Sequence, residues 1–264
     1  MKNIKILEVK INNVTMTESI DIIDSFIKSK KPHQIVTANP EIIMSAQNNV
    51  GIKDIINDAN LVIPDGAGLL FTAKILRQKL VERVTGVDLI NNIANLANEK
   101  KYSIYLLGAL PGIAKKCANI LAQKYPNLKI AGHSSDTPDN ISCESLGYNN
   151  PKHTSNYKKV DANVIIDNIK LTKPDILLVA YGHPKQEFFI SKYKDILNIP
   201  VMIGVGGSFD FIAGIAKRAP KIMQILWLEW LWRLMSEPKR IKRIFTAAII
   251  FPLKVIYNMI FKIK

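Results

Sequence analysis

Several short segments of this chain set a carboxylate, an amide, a hydroxyl or a cation beside glycine or proline, next to an apolar run. The richest is Leu61-Val62-Ile63-Pro64-Asp65-Gly66-Ala67-Gly68. Three apolar residues read as a buried strand, proline ends the ladder, and the glycines let the backbone turn beside Asp65. A carboxylate held at the mouth of a crevice can take a proton from a hydroxyl. The same Pro-Asp-Gly also reads as a plain turn, with Asp65 bonding its own backbone. Thr37 and Asn39, in Thr37-Ala38-Asn39-Pro40, fall at a strand end and a helix start, where they are either pocket groups or a capping pair. Arg83, in Arg83-Val84-Thr85-Gly86, offers a guanidinium that matches phosphate oxygens, or is a solvated surface arginine. Gly108-Ala109-Leu110-Pro111-Gly112 joins a strand to a helix, a phosphate-friendly unit, although its spacing is neither GxGxxG nor a P-loop. In Tyr181-Gly182-His183-Pro184-Lys185-Gln186-Glu187, Pro184 opens a helix whose positive end gathers Lys185, Gln186 and free backbone N–H groups into a ready anion site. Gly206-Gly207-Ser208-Phe209-Asp210 allows close approach of backbone to a ligand, with Asp210 able to accept from a ribose or base. His133 and His153 have no clustered cysteine or carboxylate partners, so they read as solvated rather than as metal ligands.

The elements that must position these groups alternate. Ile4–Val14 reads as one or two edge strands, and Thr17 as the cap of a first helix. Strands are expected at 34–37, 61–63, 102–107, 129–131, 174–180 and 200–205. Helices are expected at 41–47, 53–58, 69–80, 87–99, 113–124, 164–170 and from Pro184 to Tyr193. Pro174–Ala180, with its continuous apolar run from Ile176, reads as a parallel strand covered on both faces. This pattern predicts an α/β fold: a doubly wound, mostly parallel, Rossmann-like sheet whose strand ends carry all the segments above. Residues 132–161 are polar and without apolar period, and read as a surface insertion within a catalytic domain spanning 1–215.

Residues 216–264 are different. Eleven of the 36 basic residues but only two of the 22 acidic ones lie between Lys217 and Lys264, so this stretch carries most of the net charge of +14. It also holds all three tryptophans (227, 230 and 232), a basic cluster at 239–243 and an apolar run from Ile244 to Phe261 interrupted by Pro252 and Lys254. That composition fits a helical appendage lying in a membrane interface, with lysine and arginine toward anionic headgroups, better than a spanning helix or an ordinary core helix. Nucleic acid would suit the charge but not the apolar content. Two cysteines without metal or disulfide spacing point to a reducing compartment, and Met1-Lys2-Asn3-Ile4-Lys5 lacks the apolar run of a secretory signal.

The ordered series Thr-Ala-Asn-Pro-Glu (37–41), Pro-Asp-Gly (64–66), Arg-Val-Thr-Gly (83–86), Gly-His-Pro-Lys-Gln-Glu (182–187), Gly-Val-Gly-Gly-Ser-Phe-Asp (204–210), Lys-Arg-Ala-Pro (217–220) and Leu-Glu-Trp-Leu (228–231) resembles the WecG/TagA/CpsF glycosyltransferases over nearly the whole chain. The resemblance implies inverting, metal-independent transfer of N-acetylmannosamine or a related hexose from a UDP-sugar donor to a polyprenyl-diphosphate-linked GlcNAc, without a cofactor. The reaction would serve teichoic acid-like surface polymer assembly at the cytoplasmic membrane face, by a peripheral protein that is compatible with a homo-oligomer off the membrane. By position it implies Asp65 as general base, Arg83 and Gln186 as residues needed for activity, with Gln186 a donor to the leaving diphosphate, and Thr37, Asn39 and Asp210 as substrate-binding. Gly108, Lys185, Gly206 and Gly207 join that substrate-binding set as parts of the same strand-end turns. Arg233, Arg240 and Arg243 match arginines that reach the acceptor diphosphate. His183 departs from the pattern, which has a small residue there, and the 132–161 stretch is longer than usual. A nucleotide-binding oxidoreductase on the same sheet is disfavoured by the missing GxGxxG. A non-catalytic membrane scaffold would have no need of Asp65.

Overall fold

A computed structural model describes residues 2–139, 159–226, 228–236 and 241–261. The chain opens with an antiparallel hairpin, β1 (Asn3–Ile6) and β2 (Val9–Asn12), which pairs with itself rather than with the main sheet. Helix α1 (Met16–Ser29) starts two residues earlier than Thr17 would place it. Thr15 is the cap, and its hydroxyl and the Glu18 carboxylate each accept the other's backbone N–H in a capping box. Then come β3 (His33–Ala38), α2 (Pro40–Asn48), α3 (Val50–Asp58), β4 (Leu61–Pro64), α4 (Ala67–Ile75), α5 (Gly86–Lys100), β5 (Ser103–Gly108), α6 (Ile113–Lys124) and β6 (Lys129–Ser134). Helix α4 stops short of the expected Leu80, because the chain turns out of it through Arg77 at φ 55°.

The expected insertion is not wholly loop. Its start belongs to β6, and two short strands, β7 (Thr137–Pro138) and β8 (Lys159–Val160), pair across its base. The rest of it, with His153 and Cys143, lies outside the described residues. The chain continues through α7 (Ala162–Thr172), β9 (Ile176–Ala180), α8 (Lys185–Leu197), β10 (Val201–Gly204) and α9 (Ser208–Ile212).

Six strands form one parallel sheet in the order β4-β3-β10-β9-β5-β6. Side chains alternate between its faces. Ile176, Leu178 and Ala180 of β9 join one core with Ile35, Ile203 and the helices α1, α5, α6 and α9. Leu177 and Val179 point the other way, toward Phe189 and Ile190 of α8. Helices on both faces and a strand order that reverses direction confirm the doubly wound α/β architecture, and they leave a crevice beyond the carboxyl ends of the strands.

The tail continues as α10 (Lys221–Ile225), α11 (Glu229–Ser236), α12 (Ile241–Phe245), a π-helical turn at Thr246–Ile250 and α13 (Phe251–Phe261). The last three run on as one rod of 21 residues. The π turn ends two residues before Pro252, where an α-helix would bring the proline ring against the carbonyl of Ala248. The rod does not hang free. Phe251 and Val255 are buried in a core shared with Ile42, Leu69 and Ala73, so α13 packs on α2 and α4.

Candidate active site

Four strand ends build the site. Asp65 follows β4, and its own N–H donates to Ala38 O at the end of β3 (2.7 Å). The chain returns at Val84, whose N–H donates to Pro64 O (2.9 Å), so residues 83–86 run alongside the end of β4. Two consequences follow for Asp65. The Gly86 N–H, first in α5, points at its Oδ2 from 3.4 Å, and Arg83 sits close enough to act on its charge. A Cβ at Gly86 would lie 2.7 Å from Ser208 Oγ, which would have to shift, and 3.8 Å from Asp65 Oδ2. Burial raises the Asp65 carboxyl from 3.8 to about 6, against the opposing pull of Arg233, Arg83 and the Gly86 N–H, with Glu229 adding to the rise. A carboxylate in that range is a competent base near neutral pH.

Arg83 is 14% exposed and meets Glu229 of α11, Nη1 to Oε2, at 2.6 Å. The tail thus lies across the site. Arg218 grips Asp88, in the first turn of α5, through both terminal nitrogens (2.7 and 2.6 Å) and approaches Glu229 at 3.8 Å. Arg233 lies over the Phe211 ring, 5.1 Å from its centre, and contributes the largest cationic pull on Asp65. Arg243 is elsewhere: it pairs with Glu41 on α2 through Nε (2.8 Å) and Nη2 (2.6 Å). Arg240 lies outside the described residues.

The remaining predicted residues divide by what they touch. Asn39 caps α2, its Oδ1 accepting the Ile42 N–H at 3.0 Å, and stays partly exposed beside Gly66. Thr37 does not cap. It is buried and its hydroxyl donates to Gly204 O (2.9 Å), stitching β3 to β10 at the crevice floor. Gln186 is the main correction. A direct donor to a leaving diphosphate would need an open side chain, whereas Gln186 is 2% exposed and turned inward. Its amide nitrogen donates to Glu187 Oε1 (2.8 Å), and its carbonyl accepts the Gly206 N–H (2.9 Å). Gln186 therefore shapes the Gly206-Gly207 turn. Lys185 is the first residue of α8 and partly exposed. Gly108 has φ +100°, and a Cβ there would come within 2.9 Å of the Ala180 backbone, so it closes β5 against β9. Asp210 lies in α9 beside Gly207.

His183, the departure from the expected pattern, bridges elements: Nδ1 lies 3.0 Å from Glu187 Oε2 and Nε2 2.8 Å from Ser45 Oγ. It pins the turn after β9 to α2 and lines, with Glu41, Arg243 and Thr246, a cavity of about 190 Å³. A second cavity, about 340 Å³, opens at the start of α6 between Gly112, Lys115 and the 133–136 segment, so His133 borders a pocket. Among the described residues no three His, Cys, Asp or Glu side chains are grouped to hold a metal ion. Ser208, Arg218 and Glu229 had no assigned role from sequence. The Glu229 signal was available, in the Leu-Glu-Trp-Leu stretch, but its partners lie about 10 and 145 residues away.

Comparison with known proteins finds relatives over most of the chain. A 32% identical relative, N-acetylglucosaminyldiphosphoundecaprenol N-acetyl-beta-D-mannosaminyltransferase of Staphylococcus aureus (strain MW2), aligns over 243 residues, 91% of this chain and 87% of its own. The enzyme of the same name from Bacillus subtilis (strain 168) is 34% identical over 232 residues, 88% of this chain and 82% of its own. The family description Glycosyl transferase WecG/TagA/CpsF matches residues 4–264, taking in every strand end of the crevice and the tail that lies over it. With a partly buried carboxylate, flanking guanidiniums and relatives of this kind, the chain belongs to the WecG/TagA/CpsF family of glycosyltransferases.

Proposed function

We propose that this enzyme transfers N-acetylmannosamine, or a closely related hexose, from a UDP-sugar to GlcNAc linked through a diphosphate to a polyprenyl lipid. The observation that carries the reading is the Asp65 carboxyl, raised to about 6 by burial yet lying in the field of Arg83 and Arg233. The names of the relatives supply the acceptor and the sugar.

The acceptor hydroxyl is a weak nucleophile. Asp65 takes its proton as the oxygen attacks the anomeric carbon, and the UDP oxygen leaves from the opposite face, so a single displacement inverts the centre. Negative charge grows on the leaving diphosphate. The guanidiniums of Arg83 and Arg233 are preorganised to meet it, in place of a metal ion. The cavity at the start of α6, with Lys115 and the Gly112 turn, suits the nucleotide end of the donor.

The tail supports work at a membrane surface. Ile241, Phe245, Ile249, Leu253 and Tyr257, four residues apart, form an exposed apolar stripe on the rod, on the side away from buried Phe251 and Val255. A peripheral mode follows, in which the rod stays docked and the stripe enters the interface on the cytoplasmic face. The test is to incubate the protein with a panel of UDP-sugars and a short-chain GlcNAc-diphosphate-lipid, following UDP release and the anomeric configuration of the product. UDP release dependent on acceptor, with a β-linked product, is expected; release without acceptor dependence, or none with any sugar, overturns the reading.

A further inference from the structure

We propose that Glu229, on the tail, is a positioning residue for the transfer: it holds Arg83 by one guanidinium nitrogen and aims the rest of that group at the leaving diphosphate. The inference rests on the function proposed above and assigns a role to an acidic residue of a strongly basic tail.

The contact is close and sheltered. Nη1 of Arg83 and Oε2 of Glu229 are 2.6 Å apart, at 14% and 26% side-chain exposure. Among the described residues Arg83 makes no other ion pair or side-chain hydrogen bond, so Nε and Nη2 keep their N–H groups for an anion. A guanidinium can serve two acceptors at once because its five donors lie in a rigid plane. An arginine left without the Glu229 contact would spread over many rotamers, and ordering it would then cost part of the binding free energy of the diphosphate.

The rest of the cluster shows that this hold is built into the docking of the tail. Glu229 also faces Arg218 at 3.8 Å, and Arg218 grips Asp88 through two short bonds. The run Arg83–Glu229–Arg218–Asp88 begins and ends on the 83–88 segment, which also supplies the Gly86 N–H to Asp65. Trp232 Nε1 donates to Lys217 O (3.1 Å), folding α11 back on the start of the tail. Docking of α11 is therefore read directly at the leaving-group cation.

The same charge acts on the base. The charged groups facing Asp65 are Arg83, Arg233 and, more distantly, Arg218 on the cationic side, with Glu229 opposing them. Removing the Glu229 charge leaves the arginines unopposed and favours ionised Asp65 at lower pH. This separates positioning within the site from a merely structural tether, which would not move the titration of Asp65.

The experiment is a double-mutant cycle on the full-length protein: wild type, Glu229→Gln, Arg83→Ala and the double variant. It reads UDP affinity by calorimetry, kcat and KM with the short-chain acceptor, and kcat/KM against pH. Trp232→Phe, which removes one hydrogen bond of the tail and changes no charge, serves as the control. Glu229→Gln is expected to weaken UDP binding at least five-fold, to lower kcat more than it raises acceptor KM, and to move the acid limb of kcat/KM to lower pH. In the Arg83→Ala background it is expected to change UDP affinity by less than two-fold, and Trp232→Phe is expected to leave the acid limb in place. Wild-type UDP affinity and acid limb in Glu229→Gln, or an equal loss with and without Arg83, overturns the proposal. A wild type that binds UDP but transfers no sugar overturns the proposed function, while the binding cycle still decides the role of Glu229. Absence of UDP binding overturns both.

Discussion

In the proposed reaction Asp65 owes its basicity to where the chain puts it. Its carboxyl titrates at about 6 instead of 3.8 because burial disfavours the charge more than the two arginines favour it. Linkage then gives a stability signature opposite to that of an ordinary paired carboxylate. Between pH 4 and 6 the folded chain holds the proton that the unfolded chain has lost, so stability falls as pH rises through that window. Above it, ionised Asp65 costs on the order of 3 kcal/mol. Asp65→Asn is therefore expected to lower kcat by about 10²–10⁴-fold while raising the melting temperature at pH 8, an advantage that shrinks toward pH 4. Calorimetry across that range, beside UDP titration showing affinity within a few-fold of wild type, checks both. In the wild type, kcat/KM is expected to rise with pH through a midpoint near 6, as the base of the free enzyme loses its proton. Only part of this was legible in the sequence. The strand, proline and glycines around Asp65 are local signals and gave its place at a strand end. Its desolvation and its two guanidinium neighbours come from residues 18 to about 170 positions away, which no local pattern contains.

At the level of elements, the crevice depends on how β10 and the β9–α8 turn fit together. Gly204, the last residue of β10, has space for no side chain: a Cβ would lie 2.6 Å from Gln186 Nε2 and 3.0 Å from Gln186 Cγ. That absence lets Gln186 fold inward and hold the Gly206 N–H. The motif around Gln186 marked the right turn, yet the sequence suggested an outward donor, since the direction of a side chain is set by a neighbouring strand rather than by its own helix. Gly204→Ala is expected to push Gln186 from its seat, free the Gly206 turn and weaken UDP binding by roughly ten-fold, about 1.4 kcal/mol. The Asp65-dependent acid limb should stay where it is. Gln186→Ala should reproduce the loss of UDP affinity, and if the two changes weakened binding additively the shared route through Gly206 would be wrong. The helix boundaries tell a similar story. Thr15 rather than Thr17 caps α1 because the reciprocal partner, Glu18, lies three residues beyond Thr15. Helix α4 ends without a glycine or proline to announce it.

On the scale of the whole molecule, the tail is both a piece of the core and a candidate membrane surface. Hydropathy alone could not separate these, because both faces of the 241–261 rod are apolar and only packing decides which is covered. Phe251 and Val255 lie in the core with Leu69 and Ala73, so the tail is not a detachable appendage in the way its composition suggests. Cutting the chain at Lys217 would uncover that surface. Losing roughly 1.5–3 kcal/mol for each buried side chain, the truncated protein is expected to melt several degrees lower, and its inactivity would not by itself identify a membrane role. The exposed stripe allows a cleaner separation. Ile249 and Leu253 are 45% and 60% exposed, so Ile249→Ser with Leu253→Ser removes apolar surface that the fold does not use. Vesicles containing anionic lipid should then float without the double variant, while its melting temperature and UDP affinity match those of the wild type. Turnover of a short-chain acceptor in solution should be retained, and turnover of a long-chain acceptor in vesicles should fall at least ten-fold. Equal flotation of the two proteins would place membrane contact on another surface, whereas equal loss with both acceptors would mean that the stripe supports the site itself and not its approach to the lipid.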